Sequence, residues 1–395
     1  MDQVFMELVK EYGTPLYVFD MDVFQKRIQT VAEVLDFVKI CYCMKANPFL
    51  ASEVPEFVSR FEVCSYGEFL LCRQYKIAPE RIFYTGVYKE ERQIKEAVQY
   101  GVRNFSCESR NQLKILDEAA EAMNVQLHVF LRLSSNNQFG MDRADIFDII
   151  ARQKEYALHF AGIHYYGVSQ KRDTVKVKVE LDIIGQLCDE VRQKYGFLVE
   201  EIEYGLGLDS DYFQKDPFHS EMQLLKESAV ILREFSKKYC VTIEMGRFFA
   251  ACCGYYLTKV IDMKINGGIR YAIADGGSHQ MHYDGQMLGM KIPPVHILEK
   301  KTETRNEEWT LCGSLCTHND LITRKVLLGS LRLGDILCFG YAGAYSVTEG
   351  MVLFLTKDIP PVIMHSHEKG NVCVRPRSET VMYNGGYAEG RKTEI

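Results

Sequence analysis

The chain has 395 residues, of which 47% are hydrophobic and 25% are charged, and its formal net charge is −6. These values are ordinary for a globular protein, and the length predicts two or three domains, or a barrel with a smaller partner domain. Neither sign of charge forms a long run, so no nucleic-acid or anionic-membrane partner is expected. The sequence has no run of about 18 apolar residues that would span a bilayer, and its N-terminus does not have the pattern of a signal peptide.

The cysteines indicate the cellular compartment. There are 13 of them, an odd number, scattered without a Cys-x-x-Cys pair. Most lie inside apolar runs, for example Cys41 and Cys43. We interpret them as reduced, buried thiols of a cytoplasmic protein, in preference to a disulfide framework.

The first two-thirds of the sequence alternates between short β-rich runs and longer amphipathic segments with a helical pattern. Strands that alternate with helices predict βαβ units and a parallel sheet. Eight such units favour a (β/α)8 barrel over the alternative, an open doubly wound sheet. The eight strand-like runs are residues 38–47, 61–67, 81–87, 102–109, 127–134, 158–167, 199–207 and 241–247.

After residue 255 the pattern changes. Strand-like runs such as YYLTKVIDMKI, GDILCFGYAG and MVLFLT are joined by Gly, Pro and Asp turns, and long helical patterns are scarce. This predicts a separate β domain. The β-rich TPLYVFD segment near the N-terminus is expected to join it. We therefore predict an N-terminal segment at 1–22, a barrel at 23–255 and a β domain at 256–395.

Candidate functional residues follow the predicted barrel strands, at the face where barrel enzymes place their active sites. Lys45 ends the first run. A buried ammonium is costly, but an imine with an aldehyde cofactor neutralises it; the alternative is a surface lysine. Arg132 ends the fifth run and Ser169 follows the sixth, while the seventh and eighth end in Gly205-Leu206-Gly207 and Glu244-Met245-Gly246-Arg247. Glycine backbone, a serine and an arginine at one face together predict a phosphate site.

Several segments, in this order, resemble the fold type III pyridoxal-phosphate (PLP) decarboxylases, the family of ornithine, arginine and diaminopimelate decarboxylases. They include CYCMKAN, FEVCSYGEF, GIHYYGVSQ, EYGLGLD, EMGRFFA, ADGGSHQ, CGSLCTHND and GDILCFGYAGAYS. The resemblance implies an alanine-racemase-like barrel with a C-terminal β domain, PLP as the cofactor, and decarboxylation of an L-amino acid or a derivative. It also implies a homodimer with shared active sites, because in the family the cysteine segment comes from the neighbouring subunit.

The resemblance further implies roles for individual residues. Lys45 would hold PLP as a Schiff base, and Glu244 would keep the pyridine nitrogen protonated, which makes the ring a strong electron sink. Cys316 would help to reprotonate the intermediate, and Asp320 would lie on the substrate side. The structural alternatives are a buried thiol for Cys316 and a helix cap before LITRKVL for Asp320. Further cofactor contacts would come from Arg132, Tyr166, Ser169, Gly205, Gly207, Gly246, Arg247 and Tyr345, the last of which has core packing as its alternative.

Departures from the family pattern indicate a divergent branch. Tyr166 replaces a histidine that stacks on the cofactor; its ring can still stack, but a phenol titrates near ~10 and cannot protonate in the same way. The three-glycine loop is reduced to Gly205-Leu206-Gly207, Glu62 replaces an aspartate and Met245 replaces a proline.

The substrate segments diverge more. Diaminopimelate decarboxylases carry Cys-Glu-Ser where this chain has Cys316-Thr317-His318, and an Arg-Pro pair that is absent after Asp275-Gly276-Gly277. Diaminopimelate is therefore not the expected substrate. The Leu-Cys-Thr version resembles branches of secondary metabolism, some of which decarboxylate an amino acid tethered to an acyl carrier protein.

Two further groups are left open. For His279 and His282, substrate contact and metal binding are alternatives to the favoured interpretation, a solvated loop. For Lys171-Arg172 we favour a solvated pair. The alternative is that the pair binds a substrate carboxylate or an acidic carrier protein. No metal site is expected.

Three other functions remain as alternatives. A PLP racemase of this layout pairs the ring nitrogen with an arginine, so Glu244 argues against it. A PLP-storing protein resembles a lone barrel, so the β domain argues against it. An inactive regulatory homologue is disfavoured by the presence of both Lys45 and Cys316.

Overall fold

The computed structural model describes residues 1–214, 217–299, 307–350 and 352–385. The chain forms two compact units. The barrel unit consists of Gln25–Asp211 and Phe218–Phe249, and the sheet unit consists of Met1–Phe24, Tyr212–Pro217 and Ala250–Ile395. The sheet unit thus takes in a short segment from within the predicted barrel range, and our domain boundaries stay predictions.

The elements follow one another along the chain in the order that the hydrophobic patterns predict for the barrel. The helices are α1 (Asp2–Tyr12), α2 (Met21–Val34), α3 (Tyr66–Gln74), α4 (Glu91–Tyr100), α5 (Arg110–Met123), α6 (Arg143–Ala151), α7 (Thr174–Tyr195), α8 (Pro217–Ser236), α9 (Arg247–Ala250) and α10 (Val381–Asn384). The strands are β1 (Leu16–Asp20), β2 (Lys39–Cys43), β3 (Arg60–Val63), β4 (Ile82–Tyr84), β5 (Asn104–Cys107), β6 (Leu127–Leu133), β7 (Leu158–Tyr165), β8 (Glu201–Gly205), β9 (Val241–Met245), β10 (Gly254–Asn266), β11 (Ile269–Ala274), β12 (Val295–Ile297), β13 (Glu307–Cys312), β14 (Leu321–Leu328), β15 (Ile336–Phe339), β16 (Val362–Ser366) and β17 (Gly370–Arg375).

Strands β2 to β9 are parallel and close into a barrel, because β9 pairs with β2. This confirms the predicted (β/α)8 class. Every residue of β8 and β9 is buried, as expected for parallel strands that are covered on both faces. The helices between strands are amphipathic: α4, for example, buries Ile94, Ala97 and Val98 at helical spacing. All eight strands therefore end at one mouth of the barrel.

The sheet unit contains a nine-stranded mixed sheet in the order β14-β13-β11-β10-β1-β16-β17, with β15 beside β10 and β12 beside β15. Strand β1 pairs antiparallel with β10 and parallel with β16, so the N-terminal β-rich segment is part of this sheet. Helix α1 packs Phe5 and Leu8 into a core with Leu16, Val18 and Leu257.

The structure contradicts one structural alternative and one prediction in this unit. The segment LITRKVL, considered as a helix that Asp320 caps, is strand β14, in which buried Ile322 and Val326 flank exposed Arg324 and Lys325. The MVLFLT run contains no strand among its described residues, and Phe354–Thr356 forms a turn instead, in which Leu355 and Thr356 adopt left-handed backbone angles. Met351 lies outside the described residues.

Within the described parts of the chain, every helix is too short or too polar to pass through a lipid bilayer.

Candidate active site

Lys45 lies at the mouth of the barrel, in a 3₁₀ turn directly after β2. Its Nζ donates to both carboxylate oxygens of Glu62, at 2.9 and 2.8 Å, and lies 3.6 Å from the Cys64 sulfur. The register of β2 and β3 explains the pairing, because Cys43 is the partner of Glu62 and Lys45 follows two residues later. The Lys45 side chain is 42% exposed, whereas that of Glu62 is only 3% exposed.

The Lys45–Glu62 pair is ionic. Burial raises the pKa of Glu62, but the Lys45 ammonium and its hydrogen bond outweigh burial and hold this pKa well below its ordinary value. Burial likewise lowers the pKa of Lys45, but Cys64 and the Glu62 carboxylate raise it more, so it lies above its ordinary value. Glu62 was noted in the sequence only as a departure from the family pattern, and its direct contact with Lys45 was missed.

Glu244 lies one residue from the end of β9, opposite Gly205 of β8. Its Oε1 is 3.4 Å from Nε2 of His164, and neither atom has a hydrogen-bond partner among the described residues. The other ring nitrogen of His164 bonds the Ser106 hydroxyl at 2.7 Å. Burial, with a contribution from Arg132, lowers the pKa of His164 well below its ordinary value, so this imidazole is neutral.

The Glu244 carboxyl therefore differs electrostatically from Glu62. Burial, followed by the negative charge of Glu62, raises the pKa of Glu244 to about 8. A buried carboxylate needs a cation or several donors to stay ionised. Among the described residues, Oε1 of Glu244 has no hydrogen-bond partner, and the charges of Lys45 and Arg132 do not bring its pKa back to the ordinary value. A cationic ring nitrogen brought by a ligand would therefore complete this part of the site.

Arg132, at the end of β6, has its own carboxylate partner. Its NH1 bonds Glu108 at 2.9 Å, and the Phe139 ring lies 5.0 Å from the guanidinium carbon. The backbone N–H of Gly140 also donates to Glu108, at 3.3 Å. Arg132 thus lies in the mouth as predicted and is paired with Glu108, and its charge does not offset the effect of burial on the pKa of Glu244.

The glycines of the predicted phosphate site lie where a side chain would not fit. A Cβ on Gly205 would enter the ring of Tyr166, and one on Gly207, whose φ is 59°, would lie 2.5 Å from the Val168 carbonyl oxygen. A Cβ on Gly246 would lie 2.8 Å from that of Ala46, beside Lys45. The loops after β7, β8 and β9 therefore come together around bare backbone.

Two further predicted residues lie in these loops. Ser169 is exposed in the loop after β7, and Arg247 begins α9 directly after β9. Tyr166 is half-buried, and its ring packs on Gly205. The barrel unit thus brings together the predicted residues Lys45, Arg132, Tyr166, Ser169, Gly205, Gly207, Glu244, Gly246 and Arg247.

The sheet unit carries the remaining predicted residues. Cys316 is exposed in the loop between β13 and β14. The Asp320 carboxylate is buried in the same loop and accepts hydrogen bonds from the backbone N–H groups of Ser278 and Leu315, at 2.7 and 2.8 Å, and from the Ser278 hydroxyl at 2.8 Å. These bonds make Asp320 an organiser of the Cys316 loop, and the substrate contact that the resemblance implies stays a prediction. Tyr345 adopts a φ of 66°, and its ring contacts that of His282.

The solvated-loop interpretation is wrong for His279. This side chain is 7% exposed, in a short 3₁₀ helix. Burial lowers its pKa. His282 is 39% exposed and lies 3.1 Å from Glu349. Their imidazoles occur in no three-residue cluster of metal-ligand type among the described residues.

Comparison with known proteins identifies the family. The model of the family described as "Pyridoxal-dependent decarboxylase, pyridoxal binding domain" matches residues 21–251, more than half of the chain. The chain therefore belongs to the fold type III PLP-dependent decarboxylases, and its cofactor is PLP. The resemblance seen in the sequence is confirmed, and with it the class of PLP-dependent amino-acid decarboxylases.

Individual relatives are distant but cover nearly the full length. A 2-[(L-alanin-3-ylcarbamoyl)methyl]-2-hydroxybutanedioate decarboxylase of Staphylococcus aureus is 26% identical, over 93% of this chain and 98% of its own. An L-glutamyl-[BtrI acyl-carrier protein] decarboxylase of Niallia circulans is 26% identical, over 90% of each chain. The structure of diaminopimelate decarboxylase from M. jannaschii in complex with L-lysine superposes with a TM-score of 0.86 at 20% identity, over 97% of this chain and 94% of that one. This last similarity confirms the barrel with its separate β domain.

The residues at the barrel mouth fit PLP. Lys45 offers a primary amine for its aldehyde, and Glu244 offers its ring nitrogen a buried carboxyl oxygen that has no hydrogen-bond partner among the described residues. The bare backbone at Gly205, Gly207 and Gly246 offers the close approach that a phosphate needs.

Proposed function

We propose that this protein removes the α-carboxyl group of an L-amino acid or amino-acid derivative as CO2, with Lys45 as the residue that holds PLP. When bound, PLP supplies an electron sink for the charge left on the α-carbon. The observation that carries the proposal is the contact of Lys45 with Glu62 beside the unneutralised carboxyl of Glu244. Lys45 supplies the amine, and Glu244 supplies the anion that a protonated ring nitrogen requires.

The chain's own residues divide the remaining tasks. Glu62 accepts from Nζ of Lys45 with both oxygens, so it orients the amine. Glu244 would hold the ring nitrogen in its protonated form, and Arg132 and Tyr166 would lie beside the ring. Ser169, Arg247 and the glycines at 205, 207 and 246 would hold the phosphate.

The sheet unit would complete the site in a partner copy. We propose a cytoplasmic homodimer in which the Cys316 thiol donates the proton that replaces CO2 on the α-carbon. Its exposure in the isolated chain supports this role, since a proton donor to another subunit must reach the surface. Hydrogen bonds to the Asp320 carboxylate fix the conformation of the exposed loop that carries Cys316.

A tethered substrate is a second candidate. The Niallia circulans relative acts, by its name, on a glutamyl group held on an acyl-carrier protein, and Cys316-Thr317-His318 departs from the Cys-Glu-Ser of diaminopimelate decarboxylases. These two observations favour an amino-acid derivative over diaminopimelate.

One substrate panel tests both candidates. PLP-loaded protein is incubated with the common L-amino acids, meso-diaminopimelate and aminoacyl thioesters of a carrier protein, and each mixture is analysed by mass spectrometry for loss of CO2. Loss from a free amino acid supports a stand-alone decarboxylase, and loss only from a thioester supports the tethered candidate. Inversion of the α-carbon without CO2 loss would instead support the racemase alternative and contradict the proposal.

A further inference from the structure

The loop after β7 contains a lysine whose burial the sequence did not reveal. The favoured interpretation of Lys171-Arg172 as a solvated pair is correct for Arg172, whose side chain is 66% exposed and lies 2.8 Å from Asp209. It is wrong for Lys171, whose side chain is 0% exposed. A fully buried ammonium is rare and must be compensated by its neighbours. Those neighbours therefore show what the lysine does.

The Lys171 ammonium contacts one carboxylate and two backbone carbonyls. Its Nζ lies 2.8 Å from Oε2 of Glu180, on α7, and donates to the carbonyl oxygens of Leu206 at 2.9 Å and of Gly205 at 3.4 Å. The Tyr204 hydroxyl donates to the same Glu180 oxygen at 2.6 Å. The ammonium thus links α7 to the turn that the sequence marks as the reduced glycine loop.

These contacts determine which way the turn presents its N–H groups. A trans peptide is planar, so its N–H points opposite to its C=O. The carbonyls of Gly205 and Leu206 point at Lys171, and the N–H groups of Leu206 and Gly207 must then point away from it. Two successive N–H groups that face one side form an anion-binding concavity.

The backbone of Lys171 holds the other end of the same turn. Its N–H donates to the Gly207 carbonyl at 2.9 Å, and its own carbonyl accepts from the N–H of Asp209, also at 2.9 Å. The turn around Gly207, whose φ is 59°, is therefore fixed by both the main chain and the side chain of one residue.

We propose that Lys171 is a positioning residue for the cofactor phosphate: its buried ammonium fixes the carbonyls of Gly205 and Leu206 and so aims the N–H groups of Leu206 and Gly207 at that anion. The proposal rests on the proposed function, since it takes the Gly205–Gly207 turn as the phosphate site. Glu180 neutralises the lysine, so Lys171 acts through geometry rather than through net charge. The inference also explains how a loop with fewer glycines than the family pattern keeps its shape.

The test compares PLP with pyridoxal, which has the same aldehyde and ring but no phosphate. The variant is the double substitution Lys171→Met with Glu180→Gln, which removes both charges and leaves neither one buried alone. The matched control is Arg172→Met, which removes the neighbouring, exposed positive charge. Equilibrium dissociation constants are measured by absorbance titration of cofactor-free protein, and thermal melting confirms that each variant is folded.

We expect the double variant to bind PLP about tenfold more weakly and pyridoxal with unchanged affinity, while Arg172→Met binds both like the wild type. Equal weakening of PLP and pyridoxal, or no weakening of either, would overturn the proposal. If the double variant does not fold, Lys171→Arg replaces it, because it keeps the charge but changes the donor geometry, and the same selective loss of PLP affinity is expected. Failure of the proposed function would be visible in the wild-type protein, as absence of CO2 release, and would not depend on these titrations.

Discussion

The buried carboxyl groups at the two ends of the barrel interior have different partners. At the floor, where the strands begin, Arg60 bonds Glu203 at 2.7 Å and Glu201 at 2.9 Å, and Lys39 reaches Glu201 at 3.3 Å. Two cations thus face two carboxylates, although Glu203 keeps one oxygen without a hydrogen bond in the described part of the chain. At the mouth, Glu244 faces the neutral imidazole of His164.

The carboxyl pKa values express this difference. Burial raises the pKa of Glu201, but Arg60 and its other partners lower it more, so the Glu201 carboxylate stays ionised. Burial and the negative charge of Glu62 raise the pKa of Glu244 to about 8, because the opposing charges of Lys45 and Arg132 do not offset them. Glu203 differs from Glu201, because burial raises its pKa well above its ordinary value despite Arg60. The floor thus contains one carboxylate that its cations keep ionised, whereas we propose that a ligand with positive charge compensates Glu244 at the mouth.

The largest expected effect comes from removing the amine at the mouth. Lys45→Ala should abolish the yellow colour of the lysine-bound cofactor and lower activity at least about a thousandfold, because it removes the amine that would hold the cofactor. Lys39→Met, which removes a lysine at the floor, should leave both colour and activity intact. Retention of the colour in Lys45→Ala, seen by absorbance, would show that the lysine assignment is wrong.

Removal of the proposed proton donor should affect turnover rather than binding. Cys316→Ala should lower product formation about a hundredfold with little change in PLP affinity, because general acids contribute factors of this size. Equal losses of both would indicate a structural role. Mixing Lys45→Ala and Cys316→Ala subunits should restore about a quarter of wild-type activity if sites are shared in a dimer, whereas no recovery would contradict shared sites.

Substitution of the cations at the floor should lower the stability of the fold and leave the cofactor chemistry unaffected. Arg60→Met leaves two buried carboxylates facing each other, and we expect a loss of about 3 kcal/mol in the free energy of unfolding. Lys39→Met, at a side chain that is 47% exposed, should cost less than about 1 kcal/mol. Denaturant unfolding of the cofactor-free proteins measures both. A stable Arg60→Met protein would contradict the structural interpretation of the floor.

A further effect concerns the pH dependence of stability in the cofactor-free protein. The folded-state pKa of Glu244, about 8, lies above its ordinary value of 4.5, so the folded state binds more protons than the unfolded state between these pH values. Stability must then fall as the pH rises through this window. Glu244→Gln removes this contribution, so its melting temperature should decline less between about pH 5 and pH 8. Identical slopes in both proteins would mean that the Glu244 carboxyl is already compensated.

The barrel was predictable because its strands are buried on both faces and its helices are amphipathic, so the chain alternates between two clear periodicities. Short apolar runs outside this alternation were not predictable. LITRKVL is compatible with a helix or a strand, and it becomes strand β14 because it pairs with β13. The strand predicted for MVLFLT was wrong for the same reason, since neither the composition nor the length of this run decides between a strand and a turn.

Motifs in the sequence predicted Lys45 and Glu244 individually, and the structure places both at the barrel mouth, while their roles stay predictions. The partners of these residues were not predicted, because they depend on register and packing. Glu62 meets Lys45 through the pairing of β2 with β3, and Lys171 is buried through Glu180 and two main-chain carbonyls. The role of Glu62 could have been inferred from the sequence, since an acidic residue inside a buried strand needs a cationic partner.

The most direct test of the account is the location of the covalent bond to PLP. The PLP-loaded protein is reduced with borohydride, digested and mapped by mass spectrometry, with the buried lysines Lys89 and Lys171 as internal comparisons. The account predicts the pyridoxyl mass on the peptide that carries Lys45 and on no other. The same mass on the peptide with Lys171, Lys89 or another lysine, with Lys45 unmodified, would contradict it.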